Sequence, residues 1–224
     1  MTNENWHDGD GRPVLVLAHG AGAPADSPFM ATLARALAAQ SVSVVRFEFD
    51  YMRRRRLDGR KRPPGSVLKL RDEFAAQVEA VVGGIDPQRP VFVGGKSMGG
   101  RVASLLAAEP SVSERVAGAV AFGYPFHPPS RPERWRTEHF ATLRRALCVV
   151  QGTRDPFGKP DEIVGQPFLS EVVQVQWLEG GDHDLRPLKR QPESQSDLIH
   201  RAATLAAAFM VRTDSLARSL SVKH

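Results

Sequence analysis

A serine between two glycines is the feature of this sequence that most directly suggests chemistry. Gly95, Ser97 and Gly99 fit the pattern G-x-S-x-G, which stands between the apolar run PVFVGG and a helical pattern with Val102 facing inward. A serine hydroxyl acts as a nucleophile when it projects from a sharp strand-to-helix turn, and such a turn brings the flanking positions so close to neighbouring backbone that glycine is needed there. The spacing therefore predicts a nucleophile at Ser97.

Two other interpretations of the GGKS run have to be weighed. A phosphate-binding loop requires a further glycine five residues before the Gly95-Lys96-Ser97 run, but Pro90 occupies that position inside the predicted strand. The sequence thus argues against a nucleotide-binding loop. A glycine-rich turn without chemistry stays open on this motif alone, so the choice depends on partner residues elsewhere in the chain.

His183 and Asp155 are the residues that would complete a proton-transfer system with Ser97. His183 follows the last predicted strand within EGGDHDL, and Asp155 follows the strand ALCVV within GTRDPFG. Because parallel strands end at one edge of a sheet, both side chains would reach the edge where Ser97 lies. We expect His183 to be the general base and Asp155 to orient it, since a serine nucleophile needs both. A turn-capping role is the alternative for Asp155, which precedes a proline.

The segment AHGAGAP, from His19 to Pro24, follows the first predicted strand and consists mostly of small residues. Small residues let backbone N–H groups face a bound acyl group. An oxyanion hole would combine the N–H of Met98, directly after the serine, with one N–H from this segment, and we assign the second donor to Ala21. His19 is expected to be a structural hydrogen-bonding residue of the turn rather than a base.

Short apolar runs alternate with helical patterns along the chain. The predicted strands are residues 13–20, 42–49, 90–95, 116–125, 146–152 and 172–181. Ser27-Pro28 is expected to open the first helix, Gly83-Gly84 to end a later one and Ser196 to cap the last. The alternation predicts an α/β fold, a three-layer α/β/α sandwich around a mostly parallel sheet of about six or seven strands.

Length and composition fit one globular domain over residues 1–224, with residues 1–11 and 213–224 expected to be flexible tails. The lone cysteine, Cys148, excludes an intrachain disulfide, and no cofactor or metal site is predicted. The polar first residues lack the apolar core of a secretory signal, and no apolar run is long enough to span a membrane. These features predict a cytoplasmic protein.

The segments AHGAGA, GGKSMGG, GTRDPFG and GGDHDL, in this order, resemble the α/β-hydrolase superfamily. More narrowly, the chain is similar to small cap-less hydrolases related to dienelactone hydrolase. GGKSMGGR, the arginine-rich segment after FEFDYM, and YPFHPP followed by RTEH also resemble a branch that includes the animal testis-expressed and NSL-complex-subunit proteins. The resemblance implies an α/β-hydrolase fold without a cap domain, with Ser97 as nucleophile, Asp155 as acid and His183 as base.

The same resemblance leaves the substrate and the activity open. Dienelactone hydrolases proper have a cysteine where this chain has Ser97, which weakens the transfer of their substrate. The animal relatives act partly as subunits of complexes, and a fold does not by itself imply an activity.

Two segments are candidates for contact with a substrate. Seven basic residues lie between Arg53 and Arg62 in a predicted loop, where Arg53 and Arg54 could bind an anionic group. The alternative is a solvated surface loop. The second segment, GYPFHPPSRPERWRTEH, follows the fourth predicted strand, and its pocket candidates are Tyr124, Phe126 and His127. For each of these three, structural packing is the alternative.

We therefore expect a serine hydrolase that cleaves ester-type bonds, thioesters or other activated acyl groups through an acyl-enzyme on Ser97. Its substrate would be a small acyl compound, with an anionic one as an option. The alternative is a catalytically silent module of the same fold that docks partners or anions through its arginine-rich segment. The net charge of +5 does not by itself indicate a nucleic-acid partner, and the aromatic content of 7% argues against one, because few rings are available to stack on bases. The sequence leaves the oligomeric state open.

Overall fold

One twisted sheet runs through a computed structural model that describes residues 5–221. Its strand order is β1-β3-β2-β4-β5-β6-β7, and every neighbouring pair is parallel except β1 and β3, which are antiparallel. The strands are β1 Trp6–Asp8, β2 Val14–Ala18, β3 Ser43–Phe47, β4 Val91–Lys96, β5 Val116–Phe122, β6 Ala146–Gly152 and β7 Val173–Leu178. The six predicted strands are therefore all present, most of them shorter than predicted, and the mostly parallel sheet is confirmed.

Helices cover both faces of this sheet. They are α1 Pro28–Ala38, α2 Asp50–Asp58, α3 Val67–Gly84, α4 Met98–Ala108, α5 Pro160–Ile163 and α6 Gln195–Ser221, with a short 3₁₀ helix at Glu138–Thr142. Leu15 of β2 packs with Leu33 of α1 and Leu198 of α6, whereas Val16 packs with residues of α3 and α4. Successive strand residues point to opposite faces, so this alternation places one helical layer on each side. The three-layer sandwich is confirmed.

The central strands are apolar up to their carboxyl ends, where Lys96 and Gln151 lie, because neither face meets water. All five residues of β2 and all six of β4 are buried. A strand covered on both sides gains from burying every side chain, which explains continuous runs such as VLVLA. Among residues 5–221, no helix is both long and apolar enough to cross a membrane.

The two segments predicted to be flexible tails contain regular secondary structure in the part of the chain that the structure describes. Trp6–Asp8 forms the antiparallel edge strand β1, held by the Asp8 carboxylate 2.9 Å from a guanidinium nitrogen of the nearly buried Arg46. At the other end, α6 continues to Ser221. The sequence pattern did not show these tertiary contacts, and the flexibility of the two segments stays a prediction. Residues 1–4 and 222–224 lie outside the described residues.

The arginine-rich segment is also not a loop over its first half. Residues 50–58 form α2, which ends at Gly59 in the left-handed conformation, with φ of 72°. Glycine adopts this backbone geometry without a Cβ penalty and is common after a helix.

The last helix, α6, begins slightly earlier than predicted. Ser194 rather than Ser196 caps it, through reciprocal hydrogen bonds with Asp197.

A half-buried histidine that contacts α4 makes the stability of the fold sensitive to acid. His139 Nε2 lies 2.8 Å from Ser104 Oγ, and burial together with the nearby Arg101 lowers the pKa of His139 from 6.5 to about 4. Between these two values the unfolded chain binds the proton more readily than the folded one, so protonation favours unfolding.

We expect the free energy of unfolding to decrease as the pH falls from 6.5 towards about 4, and the His139→Gln variant to lose part of this dependence. Urea denaturation of both proteins across that pH window measures the difference. Parallel pH dependences in the two proteins would contradict the assignment.

Candidate active site

The site lies where the direction of the sheet connections reverses. From β2 the chain passes to β3 on one side, whereas from β4 it passes to β5 on the other side. In open α/β sheets such a reversal leaves a crevice at the carboxyl ends of the two strands, and ligands bind there. The loop after β2, residues 19–24, and Ser97 after β4 both border this crevice.

Ser97 occupies a strained turn between β4 and α4. Its φ of 52° and ψ of −113° are unusual for a residue with a Cβ. A Cβ at Gly95 would lie 2.7 Å from Ala18 O, and one at Gly99 would lie 2.6 Å from Ala18 O and from His19 O. Both glycines are therefore required by the close approach of the turn to the end of β2.

Ser97, His183 and Asp155 are brought together although they follow three different strands, β4, β7 and β6. His183 Nε2 lies 2.9 Å from Ser97 Oγ, and His183 Nδ1 lies 2.8 Å from Asp155 Oδ2. Both distances lie within hydrogen-bonding range. The Asp155 side chain has no exposure to solvent, whereas that of His183 is 21% exposed. A proton could thus pass between Ser97 and His183 at a surface that a ligand can reach.

Asp155 is held in place by two further donors. Its Oδ2 accepts a hydrogen bond from Gln151 Nε2 at 3.0 Å, and its Oδ1 accepts one from the backbone N–H of Phe157 at 2.9 Å. The buried Gln151 side chain also bonds the backbone N–H and carbonyl of Tyr124. The Phe157 ring packs against the His183 imidazole, with 4.4 Å between ring centroids. These contacts fix the carboxylate and the ring that it orients.

Gln151 and Phe157 were not identified from the sequence. Gln151 is the one strongly polar side chain in the buried strand ALCVVQG, and this misfit with the pattern of a strand covered on both faces was the available signal. Phe157 carries no comparable signal, because a phenylalanine in a loop is compatible with packing anywhere in the molecule.

The two other aspartates beside His183 do not contact its ring. Asp182 Oδ1 accepts hydrogen bonds from the backbone N–H groups of Asp184 and Arg186. Asp184 lies 3.5 Å from Nζ of Lys96, which links the histidine loop to the turn that carries Ser97. Burial lowers the pKa of Lys96, although Asp184 and Asp155 oppose this effect.

The backbone offers donors where an oxyanion would form. Met98 is the first residue of α4, so its N–H has no acceptor within the helix and lies at the positive end of the helix dipole. In the loop after β2, a Cβ at Gly20 would lie 3.8 Å from Ser97 Cβ, so this loop runs beside the serine. Ala21 is exposed in that loop. The predicted pair of donors, Met98 and Ala21, stays a prediction.

His19 has the structural role expected for it. Its Nδ1 lies 2.7 Å from Gly20 O, and its Nε2 accepts a hydrogen bond from the backbone N–H of Phe49. Burial lowers the pKa of His19, in line with a neutral ring that can accept this bond. The imidazole thus connects the loop after β2 to the end of β3.

The three residues expected to line a pocket in the GYPFHPP segment are buried instead. Tyr124 and Phe126 have no exposed surface, and His127 is only 1% exposed. Their rings pack with Trp135, Phe140 and Phe168 in a small aromatic cluster. The expectation is wrong because the segment folds back against the core, where its apolar rings gain more from mutual packing than from facing water.

Arg53 and Arg54 lie on α2 and not in a loop. Arg54 Nε is 2.9 Å from Asp50, with 62% of its side chain exposed, and Arg53 lies 3.9 Å from the same carboxylate. Their contact with an anionic substrate stays a prediction.

Within the described range 5–221, no group of three or more His, Cys, Asp or Glu side chains is arranged to hold a metal ion.

The fold and the Ser97–His183–Asp155 arrangement together define a protein of the α/β-hydrolase class without a cap domain. A family model described as an alpha/beta hydrolase domain matches residues 11–211. The chain belongs to this alpha/beta hydrolase domain family. The resemblance stated from the sequence motifs is thereby confirmed at the level of the superfamily.

Three solved structures with the same fold are distantly similar to this chain in sequence. Est1E from Butyrivibrio proteoclasticus, with ferulic acid bound, is 13% identical with a TM-score of 0.66 over 95% of each chain. Dienelactone hydrolase from Anabaena variabilis is 17% identical with a TM-score of 0.64, over 92% of this chain and 88% of that one. A monoacylglycerol lipase from Paleococcus ferrophilus is 15% identical with a TM-score of 0.63, over 95% and 100%. At these identities the comparisons show the fold.

The close contact at Gly99 can be tested against a glycine in open space. We expect Gly99→Ala to lower the free energy of unfolding by about 1–3 kcal/mol, because the new Cβ would overlap two backbone carbonyl oxygens. Gly83→Ala is the matched control, since Gly83 is also helical and has no atom within 4 Å of its Cβ position. It should raise stability by up to about 1 kcal/mol. Urea denaturation measures both, and equal effects would contradict the packing argument.

Proposed function

We propose that this protein is a serine hydrolase that cleaves ester-type bonds, with thioesters and other activated acyl groups as related substrates. The observation that supports this most strongly is the pair of distances around His183, 2.9 Å to Ser97 Oγ and 2.8 Å to Asp155 Oδ2. A nucleophile, a base and an orienting carboxylate within hydrogen-bonding reach of one another form the arrangement that activates a serine for acyl transfer.

In the proposed first step, Ser97 Oγ attacks the carbonyl carbon of the substrate while His183 Nε2 takes the hydroxyl proton. The imidazolium formed is stabilised by Asp155, whose carboxylate is fixed by Gln151 and Phe157. His183 then gives the proton to the leaving alcohol or thiol, which departs and leaves an acyl group on Ser97. Water, deprotonated by His183, releases the acid in the second half of the reaction.

The negative charge that develops on the substrate oxygen would be bound by the backbone N–H groups of Met98 and Ala21. Met98 contributes the partial positive charge of the α4 N-terminus, and these donors need no reorganisation during the reaction. Such preorganised donors act on the transition state more than on the ground state and therefore raise kcat.

The names of the structural neighbours support an acyl ester as the substrate class. They include a ferulic acid complex of Est1E, a dienelactone hydrolase and a monoacylglycerol lipase. We place the substrate at the crevice between β2 and β4.

The arginine-rich segment is less suited to the alternative function of a docking module. Arg56 bonds the carboxylates of Glu48 and Asp26, Arg55 bonds Gly22 O and Arg62 pairs with Asp58. Guanidinium groups whose donors are partly used inside the molecule have fewer N–H groups left for an external anion. Contact of Arg53 and Arg54 with an anionic substrate stays a prediction. A cytoplasmic location stays a prediction as well.

Ser97→Ala is expected to abolish both hydrolysis of a p-nitrophenyl ester and covalent labelling by a fluorophosphonate probe, because no other oxygen would occupy the nucleophile position. Ser104→Ala is the matched control. Ser104 also lies 2.8 Å from a histidine ring, that of His139, but it is fully buried and cannot meet a probe. Mass spectrometry of the labelled proteins locates the adduct, and labelling that persists in Ser97→Ala would refute the nucleophile.

Asp155→Asn should lower kcat by about 10³- to 10⁴-fold, because an amide cannot stabilise the imidazolium and favours the wrong ring tautomer. Asp182→Asn serves as the control, since Asp182 neighbours His183 in the chain yet its Oδ1 only accepts backbone bonds that an asparagine oxygen can keep. Steady-state ester kinetics distinguish the two variants. Similar kcat values for both would remove Asp155 from the mechanism.

A further inference from the structure

Two side chains of α2 contact the loop after β2 at consecutive carbonyl groups. Tyr51 Oη lies 3.0 Å from Ala21 O and 3.3 Å from Gly20 O, so its single proton is shared between them. Arg55 Nη1 donates to Gly22 O at 3.0 Å. Tyr51 and Arg55 are four residues apart and therefore lie on the same face of α2. One face of this helix thus bonds three successive carbonyls of the loop.

These bonds determine where the N–H groups of the loop point. The carbonyl of Gly20 and the N–H of Ala21 belong to one planar trans peptide unit, in which the two groups point in opposite directions. A donor that holds Gly20 O on the side of α2 therefore turns the Ala21 N–H away from α2. The same geometry links Ala21 O to the N–H of Gly22.

The loop has few other means of keeping this orientation. Residues 20–23 read GAGA, and residues 21–23 are exposed, so they bury no large side chain that could hold the backbone in place. Glycine-containing backbone loses much conformational entropy when it is ordered, and hydrogen bonds to its carbonyls offset that loss. Besides α2, His19 contributes one such contact, from Nδ1 to Gly20 O at 2.7 Å, so Tyr51 and His19 hold this carbonyl together.

The helix that provides these bonds is itself fixed at both ends. At its start, the backbone N–H of Asp50 donates to Glu73 Oε2 at 2.8 Å, and Tyr51 is only 8% exposed. Near its end, Arg56 bonds the buried Glu48 carboxylate, which also accepts the N–H of Ala25. Burial raises the pKa of Tyr51, so its phenol stays a donor throughout the range in which a serine hydrolase works.

We propose that Tyr51, supported by Arg55, is a positioning residue of the oxyanion hole, which fixes the direction of the Ala21 N–H by bonding the loop carbonyls from the side of α2. The proposal rests on the proposed hydrolase function. It also assigns a role to part of the arginine-rich segment: Arg55 acts on the site through the backbone and not through a substrate anion.

Tyr51→Phe tests this proposal, with Tyr124→Phe as its matched control. Tyr124 is the other tyrosine of the chain, is fully buried and likewise donates its hydroxyl to a backbone carbonyl, Arg136 O at 2.8 Å. Each variant therefore loses a tyrosine hydroxyl that donates to backbone carbonyl oxygen, and Tyr124→Phe also loses the acceptor of Ser104 Oγ at 3.4 Å, but only Tyr51→Phe releases the loop beside Ser97.

For a p-nitrophenyl ester, we expect Tyr51→Phe to lower kcat by about 10- to 100-fold with KM nearly unchanged, because the affected donor acts on the transition state. A trifluoromethyl ketone, which forms an anionic adduct with a serine, should lose affinity by a similar factor. Tyr124→Phe should keep kcat and ketone affinity within about threefold of the wild type, while urea denaturation shows comparable destabilisation of both variants.

Equal kcat and ketone affinity in the two tyrosine variants would overturn the proposal. If Tyr51→Phe does not fold, Arg55→Met decides, since Arg55 is partly exposed and its removal should still lower kcat. An unchanged kcat in a folded Arg55→Met would then count against the proposed positioning role of α2. A wild-type protein that neither hydrolyses esters nor reacts with a fluorophosphonate would instead refute the proposed function, and the positioning role with it.

Discussion

The site depends on a backbone contact between the turn that carries Ser97 and the end of β2. Gly95 and Gly99 lie so close to Ala18 O that neither position has room for a Cβ. This contact holds the strained conformation of Ser97 against relaxation, since a positive φ at a serine persists only where the surroundings enforce it. It also sets the distance between Ser97 and the loop after β2, so the proposed nucleophile and the proposed oxyanion donors are positioned by one constraint.

Polar side chains buried around this contact hold Asp155 and the loop after β2 in place. Gln151 joins Asp155 to the backbone of Tyr124, and Tyr51 joins α2 to the loop after β2. A buried polar group without a partner is costly, so such a network favours one arrangement strongly over its alternatives. In the proposed mechanism few side chains touch the reacting atoms, while a larger set determines the orientation of these side chains from positions with little or no exposure.

Much of this architecture could be predicted from local patterns. The continuous apolar strands, the glycines around Ser97 and the polar residues placed after strands ALCVV and VVQVQWL were enough to predict the sheet, its helical layers and the grouping of Ser97, Asp155 and His183 at one edge. These predictions succeed because strand burial and turn geometry act over short stretches of chain. Parallel strands then bring their carboxyl ends together whatever the details of the loops.

Local patterns failed where burial or bonding depends on residues far away in the chain. The sequence shows that Tyr124, Phe126 and His127 follow a strand, but only the tertiary structure decides that they face an aromatic cluster and not a pocket. Likewise, a run of arginines has the same composition whether it meets solvent or, as in α2, the carboxylates and carbonyls of other segments. The sequence by itself determined which groups could react and the sheet edge they would reach. The tertiary structure decided which side chains orient them, because that depends on distances between strands that no local pattern contains.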